Sequence, residues 1–286
     1  MKWRGRRGSR NIEDRRGRRG RAAGGAQIGG LGVLVIVVIG YFLGVDVTPL
    51  LQGGGLDGAG QPETSGELTQ ADREAGQFVS VVLADTEEVW TALFREELGR
   101  AYDPVTLVLF KGNTQSPCGG ASGATGPFYC PADRKAYLDT AFFTTLSQRL
   151  GAGGDFAAAY VVAHEVAHHV QNELGVLGEA NRARVHASSA QSNAISVRIE
   201  LMADCLSGVW ARHADARFDM LERGDLAEAI NAARQIGDDT LQRNAGRVPQ
   251  PHTFTHGTSE QRQRWFKTGF ETGSVGACDT FSASAL

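Results

Sequence analysis

The chain has 286 residues, of which 42% are hydrophobic and 21% are charged. This composition excludes global disorder and fibrous repeats, and the length suffices for one or two domains with a full core. The net charge of −3 hides an asymmetry, because residues 1–21 hold ten basic residues and only Glu13 and Asp14, a balance of +8. The remainder carries −11. An acidic folded part argues against a nucleic-acid partner.

Residues 28–45 form an uncharged stretch rich in Ile, Leu and Val, at the lower limit of length for a membrane-spanning helix. A buried core helix and a cleaved signal peptide are the alternatives. The basic run upstream and the lack of a small-x-small site after Tyr41 favour an uncleaved, single-pass membrane anchor. The positive-inside rule then predicts a basic cytoplasmic tail over 1–27, a flexible stalk over 46–68 and an extracytoplasmic domain over 69–286.

The elements predicted in the domain are mainly helices. Hydrophobic periodicity and caps predict helices from Thr69 to about Leu98, from about Thr140, over 155–172, 187–213 and 218–236, and from Ser259. Short apolar runs predict strands over 105–110, 128–130 and 136–138, and a polar loop is predicted around 179–184. The fold class is therefore α+β, mostly helical with a small sheet, preceded by one transmembrane helix.

Four cysteines fit a domain placed in an oxidising compartment. Cys118 and Cys130 flank a glycine-rich loop and are expected to close it as a local disulfide. Cys205 and Cys278 would then tie a helix to the C-terminal region. The competing interpretation is a metal site, but no pair has the two-residue spacing of a zinc knuckle.

His164, Glu165 and His168 form an H-E-x-x-H motif within a predicted helix. Two histidines four residues apart share a helix face, so both imidazoles can bind one Zn²⁺ ion. Glu165 then lies close enough to act on a zinc-bound water. The alternative is a helix with surface histidines, which the apolar flanking residues disfavour because unpaired buried polar groups are costly.

A catalytic zinc needs a third protein ligand, and Glu200 is the candidate. Asp204 follows four residues later on the same helix face, within an apolar stretch where carboxylates need partners. We therefore assign Glu200 to the metal and Asp204 to the free ring nitrogen of a histidine ligand. The alternative is a pair of buried salt bridges, for instance with Arg198.

The remaining histidines have weaker contexts. His169 is expected on another helix face, and His186 and His213 at the surface. His252 and His256 lie in a Pro-flanked loop before Ser259, where a histidine near the zinc could stabilise an oxyanion. His256 is preferred for this role, and a helix-capping turn is the alternative. Weaker candidates for the same role are Tyr129 and Tyr137.

Several separated motifs occur in order: CGGASGATGPFYCPADRKAYLD, AHEVAHHVQ, SVRIELMADCLSGVW, HGTSEQRQRWF and CDTF. With them the chain resembles the bacterial family of "putative neutral zinc metallopeptidases". The resemblance implies a gluzincin-like, zincin-like peptidase domain with His164, His168 and Glu200 on zinc and Glu165 as the acid/base. It also implies that Asp204 supports a ligand from behind. The basic start, single span and stalk look like that family too, whereas Met202 stands where a polar residue such as Gln is expected.

These observations predict a membrane-anchored, outward-facing zinc endopeptidase that acts on peptide or protein substrates. The strand over 136–138 is expected to present an edge to an extended peptide. The rival hypothesis is a non-catalytic extracytoplasmic zinc-binding scaffold, which has no need of Glu165. A cell-wall amide hydrolase is a further alternative. The sequence indicates no particular substrate or oligomeric state.

Overall fold

The computed structural model describes residues 1–17, 68–122 and 126–286. The described strands are β1 (Ile12–Asp14), β2 (Thr106–Phe110), β3 (Asn113–Ser116), β4 (Gly119–Ser122), β5 (Phe128–Cys130) and β6 (Lys135–Asp139). The described helices are α1 (Gln70–Glu96), α2 (Phe142–Gln148), α3 (Asp155–Glu173), α4 (Val176–Arg184), α5 (Ser189–Phe218), α6 (Asp225–Gln235), α7 (Asp238–Asn244) and α8 (Ser259–Thr272). Two 3₁₀ turns cover Pro251–Thr253 and Val275–Cys278.

Four strands form one sheet in the order β1-β2-β6-β5. β1, β2 and β6 run parallel, and β5 pairs antiparallel with β6. β3 and β4 form a separate antiparallel hairpin. β6 is therefore paired on both sides, so the prediction that its residues 136–138 offer a free edge is wrong. Among the described strands, β5 is the edge nearest the helix α3.

The sequence patterns place most of the helices correctly and miss some short elements. The predicted mostly helical architecture with a small sheet is present, and α1, α3 and α5 lie close to the predicted ranges. The segment expected as a polar loop around 179–184 is part of α4, because Leu177 and Ala180 are buried against Ile199 of α5. The helix α7 and the strands β1, β3 and β4 were not predicted.

The first seventeen residues belong to the folded domain, which corrects the predicted domain boundary at residue 69. β1 pairs in register with β2, with Ile12 opposite Leu107. Met1 and Trp3 are buried in the main core. Several of the basic residues have acidic partners inside the domain: Arg6 contacts Asp85 at 2.6 Å, and Lys2 contacts Asp219 at 2.7 Å.

This pairing overturns the predicted single-pass topology. A single crossing between residues 17 and 68 would place β1 and β2 on opposite sides of a membrane, whereas they lie in one sheet. The arginine-rich start was interpreted as a cytoplasmic topology signal, but its charges stabilise contacts within the fold. The basic start is therefore not a tail separate from the domain, and the predicted cytoplasmic N-terminus with an extracytoplasmic domain is wrong.

The predicted span over 28–45 and the stalk up to residue 67 lie outside the described residues. Across residues 1–17, 68–122 and 126–286, none of the helices combines the length and the apolar character that a membrane crossing requires.

Both predicted disulfides are present. Cys118 is bonded to Cys130, which links the β3–β4 hairpin to β5. Cys205 of α5 is bonded to Cys278, which fixes the C-terminal 3₁₀ turn to the middle of α5. Both sulfurs of the second bond belong to fully buried residues.

Helices α5 and α8 cross at unusually short range because both contribute a glycine to the contact. A Cβ atom on Gly208 of α5 would lie 2.1 Å from the carbonyl oxygen of Phe266. A Cβ atom on Gly269 of α8 would lie 1.8 Å from the carbonyl oxygen of Cys205. Only glycine leaves room for this approach, which brings the face of α8 with Arg262, Trp265 and Phe266 against the interior of the domain.

Candidate metal centre

The H-E-x-x-H segment lies in the middle of α3, which is buried on almost all sides. His164 and His168 are one turn apart and share a face of the helix, as the four-residue spacing requires. Their rings meet edge to face with centroids 4.8 Å apart. The local sequence explains the burial, since alanines and valines surround the motif and pack the helix against α5 and the sheet.

Glu200 of α5 faces both imidazoles. Its Oε2 lies 3.0 Å from Nε2 of His164, and its Oε1 lies 3.6 Å from Nε2 of His168. The three ligand atoms that could meet one ion lie within 4.8 Å of one another. Two imidazole nitrogens and one carboxylate oxygen are a donor set that catalytic zinc sites use, with one position left for water or substrate. These residues therefore fit a zinc ion.

In each histidine, Nδ1 contacts a further side chain, and Nε2 is the ring nitrogen that faces Glu200. Nδ1 of His168 is 2.9 Å from Oε1 of Gln171, whose amide donates to the carbonyl of Ile199. Nδ1 of His164 lies 3.0 Å from Oδ1 of Asp204. Such contacts fix the ring orientation of metal-binding histidines and their basicity. Asp204 thus lies where the sequence placed it, behind a ligand, while Gln171 was not foreseen.

Glu165 lies beside the cluster and is differently placed from Glu200. Its side chain is buried, and Oε2 has no hydrogen-bond partner among the described residues. Burial raises the pKa of Glu165 to about 7, against the lowering effect of His164. A buried carboxylate with a free oxygen is costly, so its presence next to three ligand atoms suits a proton acceptor rather than a structural group.

Asp204 is completely buried and has a rich set of partners. The guanidinium of Arg262 from α8 donates through Nε to Oδ2 at 2.8 Å and through Nη2 to Oδ1 at 3.0 Å. The hydroxyl of Tyr160 also donates to Oδ1. Burial alone would raise the pKa of Asp204, but the charge of Arg262 and the contact with His164 outweigh it and hold the pKa below its usual value.

The salt-bridge alternative holds for Asp204, whose buried partner is Arg262, but not for Glu200, which contacts the two histidines. Arg198, the partner considered from sequence, donates instead to backbone carbonyls of Thr280, Phe281 and Ala283. The carboxylate of Glu200 faces the two histidines, and that of Asp204 faces Arg262.

His256 is held in a loop that Asp238 organises. One carboxylate oxygen of Asp238 accepts hydrogen bonds from the backbone N–H groups of Thr255, His256 and Gly257, at 2.8, 2.6 and 3.0 Å. The other oxygen is 3.3 Å from Nδ1 of His256. Burial lowers the pKa of His256, but the negative charges of Glu200 and Asp238 outweigh it and raise the pKa.

The carboxylate of Glu200 is close enough to His256 to raise the pKa of the imidazole. His252 differs, because it is exposed and only its backbone carbonyl is engaged, by Asn193. The helix cap that was the alternative for this loop is also present, because the Thr258 side chain accepts a hydrogen bond from the backbone N–H of Gln261 and caps α8.

The other candidate side chains are engaged elsewhere. Tyr129 contacts Nδ1 of His169 at 3.1 Å, and Nε2 of His169 is 2.7 Å from the carbonyl of Asp103. Tyr137 donates to Asp133 and stacks on Phe128. His186 is exposed, and His213 contacts the carbonyl of Gly273. None of these is among the residues that meet at the ligand cluster.

The model of the family described as "Putative neutral zinc metallopeptidase" matches residues 1–281. The chain belongs to this family. The match begins at the first residue, in agreement with the place of β1 in the sheet. Family membership makes zinc the expected metal and peptide hydrolysis the activity that the family description names.

Relatives of the zinc metallopeptidase family resemble this chain over most of its length. "Uncharacterized protein YpfJ" of Escherichia coli strain K12 is 44% identical over 296 residues, covering 99% of this chain and all of the relative. "Uncharacterized protein Mb2605" of Mycobacterium bovis and "Uncharacterized protein Rv2575" of Mycobacterium tuberculosis strain H37Rv are 40% identical over 256 residues, 85% of each chain. No solved structure matches the chain.

Sequence reasoning missed four residues of this neighbourhood: Arg262, Tyr160, Gln171 and Asp238. The signal for Arg262 was present in HGTSEQRQRWF, where the arginine precedes Trp265 and Phe266 by three and four residues and so shares their buried face. Tyr160 precedes His164 by one turn. Asp238 had no such signal, because its role depends on a loop that approaches from elsewhere in the chain.

Proposed function

We propose that this chain is a zinc-dependent peptidase with Glu165 as its general base. The observation that carries the proposal is the free, buried carboxylate oxygen of Glu165 beside His164, His168 and Glu200. A domain that only binds zinc has no use for an unpartnered buried carboxylate, and such a group costs stability. The rival scaffold hypothesis leaves Glu165 unexplained.

Zn²⁺ bound by His164, His168 and Glu200 would polarise a peptide carbonyl and acidify water. Glu165 accepts the proton of the attacking water and delivers it to the leaving amine. Burial raises the pKa of Glu165, so its carboxylate is a stronger base for the first transfer than an exposed carboxylate would be.

His256 is assigned to stabilise the oxyanion that develops as water attacks. Its Nδ1 side is occupied by Thr255 and Asp238, which leaves Nε2 as the donor. The raised pKa keeps the imidazole protonated over a wider pH range, so it offers a charge-assisted hydrogen bond.

The free edge of β5 is the proposed binding edge for the substrate backbone. β5 lies next to α3, since Tyr129 of β5 contacts His169 of that helix. An extended peptide that pairs with this edge would lie alongside α3, and strand addition recognises backbone rather than a particular side chain.

The test is metal content measured beside peptide cleavage in purified full-length protein loaded with zinc. We expect the wild type to bind about one zinc and to cleave members of a broad peptide library. Glu165→Gln should keep the zinc and lose turnover by several orders of magnitude, because an amide cannot accept the proton. Glu200→Ala should lose the metal, since only two ligands remain.

His186→Gln is the matched control, because this histidine is exposed and is not a member of the ligand cluster. It should leave both zinc content and cleavage unchanged. Full cleavage by Glu165→Gln would overturn the assignment of the base. A zinc-loaded wild type that cleaves nothing in the library would favour the scaffold.

A further inference from the structure

Arg262 is a buried arginine that neither the metal nor the substrate needs to touch. Its side chain is 2% exposed, and it reaches from α8 into the interior between α3 and α5. We propose that Arg262 is a positioning residue for the metal ligand His164 and acts through the carboxylate of Asp204. This inference rests on the proposed zinc site.

The geometry of the contact is a two-pronged clamp. Nε and Nη2 of Arg262 donate to the two different oxygens of Asp204, at 2.8 and 3.0 Å. Two parallel hydrogen bonds fix the plane of a carboxylate, whereas a single bond leaves it free to rotate about the Cβ–Cγ bond. The oxygen that faces Nδ1 of His164 is therefore held in one position.

Tyr160 completes the same arrangement from the other side. It lies one turn before His164 on α3, so its hydroxyl and the imidazole approach Asp204 together. Nη2 of Arg262 also lies 3.3 Å from this hydroxyl. Three helices thus contribute to the position of one carboxylate oxygen: α3 through Tyr160, α5 through Asp204 and α8 through Arg262.

A lysine could supply the same charge at this position but not the same geometry. Its ammonium donates hydrogen bonds without the fixed planar geometry of a guanidinium, so the orientation of the carboxylate plane would no longer be fixed. The proposal therefore separates two contributions of Arg262. Charge compensation of the buried carboxylate is retained by lysine, and orientation of His164 is not.

The position of Arg262 along the chain gives the clamp a second consequence. α8 begins directly after the loop that carries His256, and Thr258 caps its first turn. Arg262, which is proposed to orient His164, is thus on the helix that directly follows the loop with His256. The packing of α8 in the domain therefore determines the positions of both Arg262 and His256.

The test uses Co²⁺ as the probe, because its visible absorption reports the coordination geometry directly. We compare wild type, Arg262→Lys and the matched control Arg198→Lys, whose guanidinium bonds backbone carbonyls of the C-terminal segment and not Asp204. The measurements are the Co²⁺ spectrum, the Co²⁺ affinity and the thermal midpoint of metal-free protein.

We expect Arg262→Lys to weaken Co²⁺ binding roughly 10–100-fold and to alter the spectrum, as changes to groups behind metal ligands do. Arg198→Lys should lower the thermal midpoint at most, with spectrum and affinity of wild type. If Arg262→Lys shows only a lower midpoint, with unchanged spectrum and affinity, the arginine is structural and the proposal is overturned.

A double-mutant comparison keeps the proposal testable if Arg262→Lys does not fold. The double variant Asp204→Asn/Arg262→Met removes both buried charges together, whereas Asp204→Asn alone leaves the charge of Arg262 without its carboxylate partner. Since Arg262 is proposed to act through Asp204, both proteins should bind Co²⁺ with similar affinity. A further loss in the double variant comparable to that expected of Arg262→Lys would overturn the proposal. Cleavage is not used here, so an inactive but metal-binding wild type would contradict the proposed function and leave this inference intact.

Discussion

Two buried carboxylates near the same histidine have opposite environments. Asp204 receives hydrogen bonds from Arg262 and Tyr160, and its pKa stays below the usual value. Glu165 has a free oxygen, and burial raises its pKa to about 7. The same functional group is therefore held as an anion in one position and is our proposed proton acceptor in the other. The difference comes from the partners supplied by α3 and α8, not from the residue type.

The role of His256 is tested by His256→Gln. We expect kcat to fall by about 10²–10³, the usual cost of removing one oxyanion donor, while KM and zinc content change little. His252→Gln is the matched control, because this histidine belongs to the same stretch of chain but is exposed. Steady-state kinetics and elemental analysis give the result. A variant with unchanged kcat would remove His256 from the catalytic groups.

At the scale of elements, the crossing of α5 and α8 positions the site. Gly208 and Gly269 allow the two backbones to approach so closely that the side chain of Arg262 reaches Asp204. The disulfide between Cys205 and Cys278 lies on the same part of α5. The orientation of the proposed metal ligands therefore depends on α8, which begins more than fifty residues after Glu200, the last of the three in the chain.

Gly269→Ala tests this crossing. The added methyl group would meet the carbonyl of Cys205, which cannot move without shifting α5. We expect a loss of about 3 kcal/mol or more in the free energy of unfolding. In Gly178→Ala, on α4, the nearest atom is the flexible end of Arg182 at 3.6 Å, so this control should be neutral or stabilising by up to about 1 kcal/mol. Denaturant unfolding measures both, and equal stability of the two variants would contradict the close approach.

The attachment of β1 to the sheet should depend on pH. Arg15 and Lys135 donate to Glu13 and lower its pKa from 4.5 to about 2. A group whose pKa is lower in the folded state stabilises the fold above pH 4.5, and this contribution is lost as the pH falls from 4.5 towards 2.

Glu13→Gln removes that titration. Its free energy of unfolding should therefore fall less steeply than that of wild type between pH 5 and pH 3. Urea unfolding across this range makes the comparison, with Glu179→Gln as the control because Glu179 is exposed on α4. If wild type and Glu13→Gln show the same slope, Glu13 does not contribute to the acid sensitivity.

For the whole molecule, the two disulfides should contribute unequally to stability. The Cys118–Cys130 bond spans 12 residues and the Cys205–Cys278 bond spans 73. Restriction of the unfolded chain predicts a loss of about 3 kcal/mol when the first is removed and about 4 kcal/mol when the second is removed. Paired Cys→Ala variants compared by denaturant unfolding provide the measurement. The reverse order would show that effects in the native state outweigh chain entropy.

Local patterns in the sequence predicted the features that depend on local spacing. The i, i+4 spacing of His164 and His168, and of Glu200 and Asp204, placed each pair on one helix face. The cysteine pairing followed from the loop between Cys118 and Cys130, which left the other two to pair. The long helices followed from hydrophobic periodicity.

The features that the sequence did not predict depend on contacts between distant segments. No local pattern links Asp238 to the loop over 255–257 or Arg262 to Asp204. The basic start was misread because ten positive charges before an apolar stretch are typical of a membrane topology signal. The acidic partners of Lys2, Arg6 and Arg7 lie far along the chain. Three-residue β1 is too short for an alternating pattern to mark it.

The parallel pairing of β1 with β2 also constrains how the protein can be shortened. β2 is an apolar strand, and β1 covers the side of it that β6 does not. A fragment starting at residue 69 would leave a row of unpaired backbone groups along Thr106–Phe110, and such an edge recruits strands from other molecules. During synthesis the same edge stays open until the first seventeen residues, already translated, return to it. Aggregation of truncated forms would therefore report an uncovered strand rather than a defect at the metal centre.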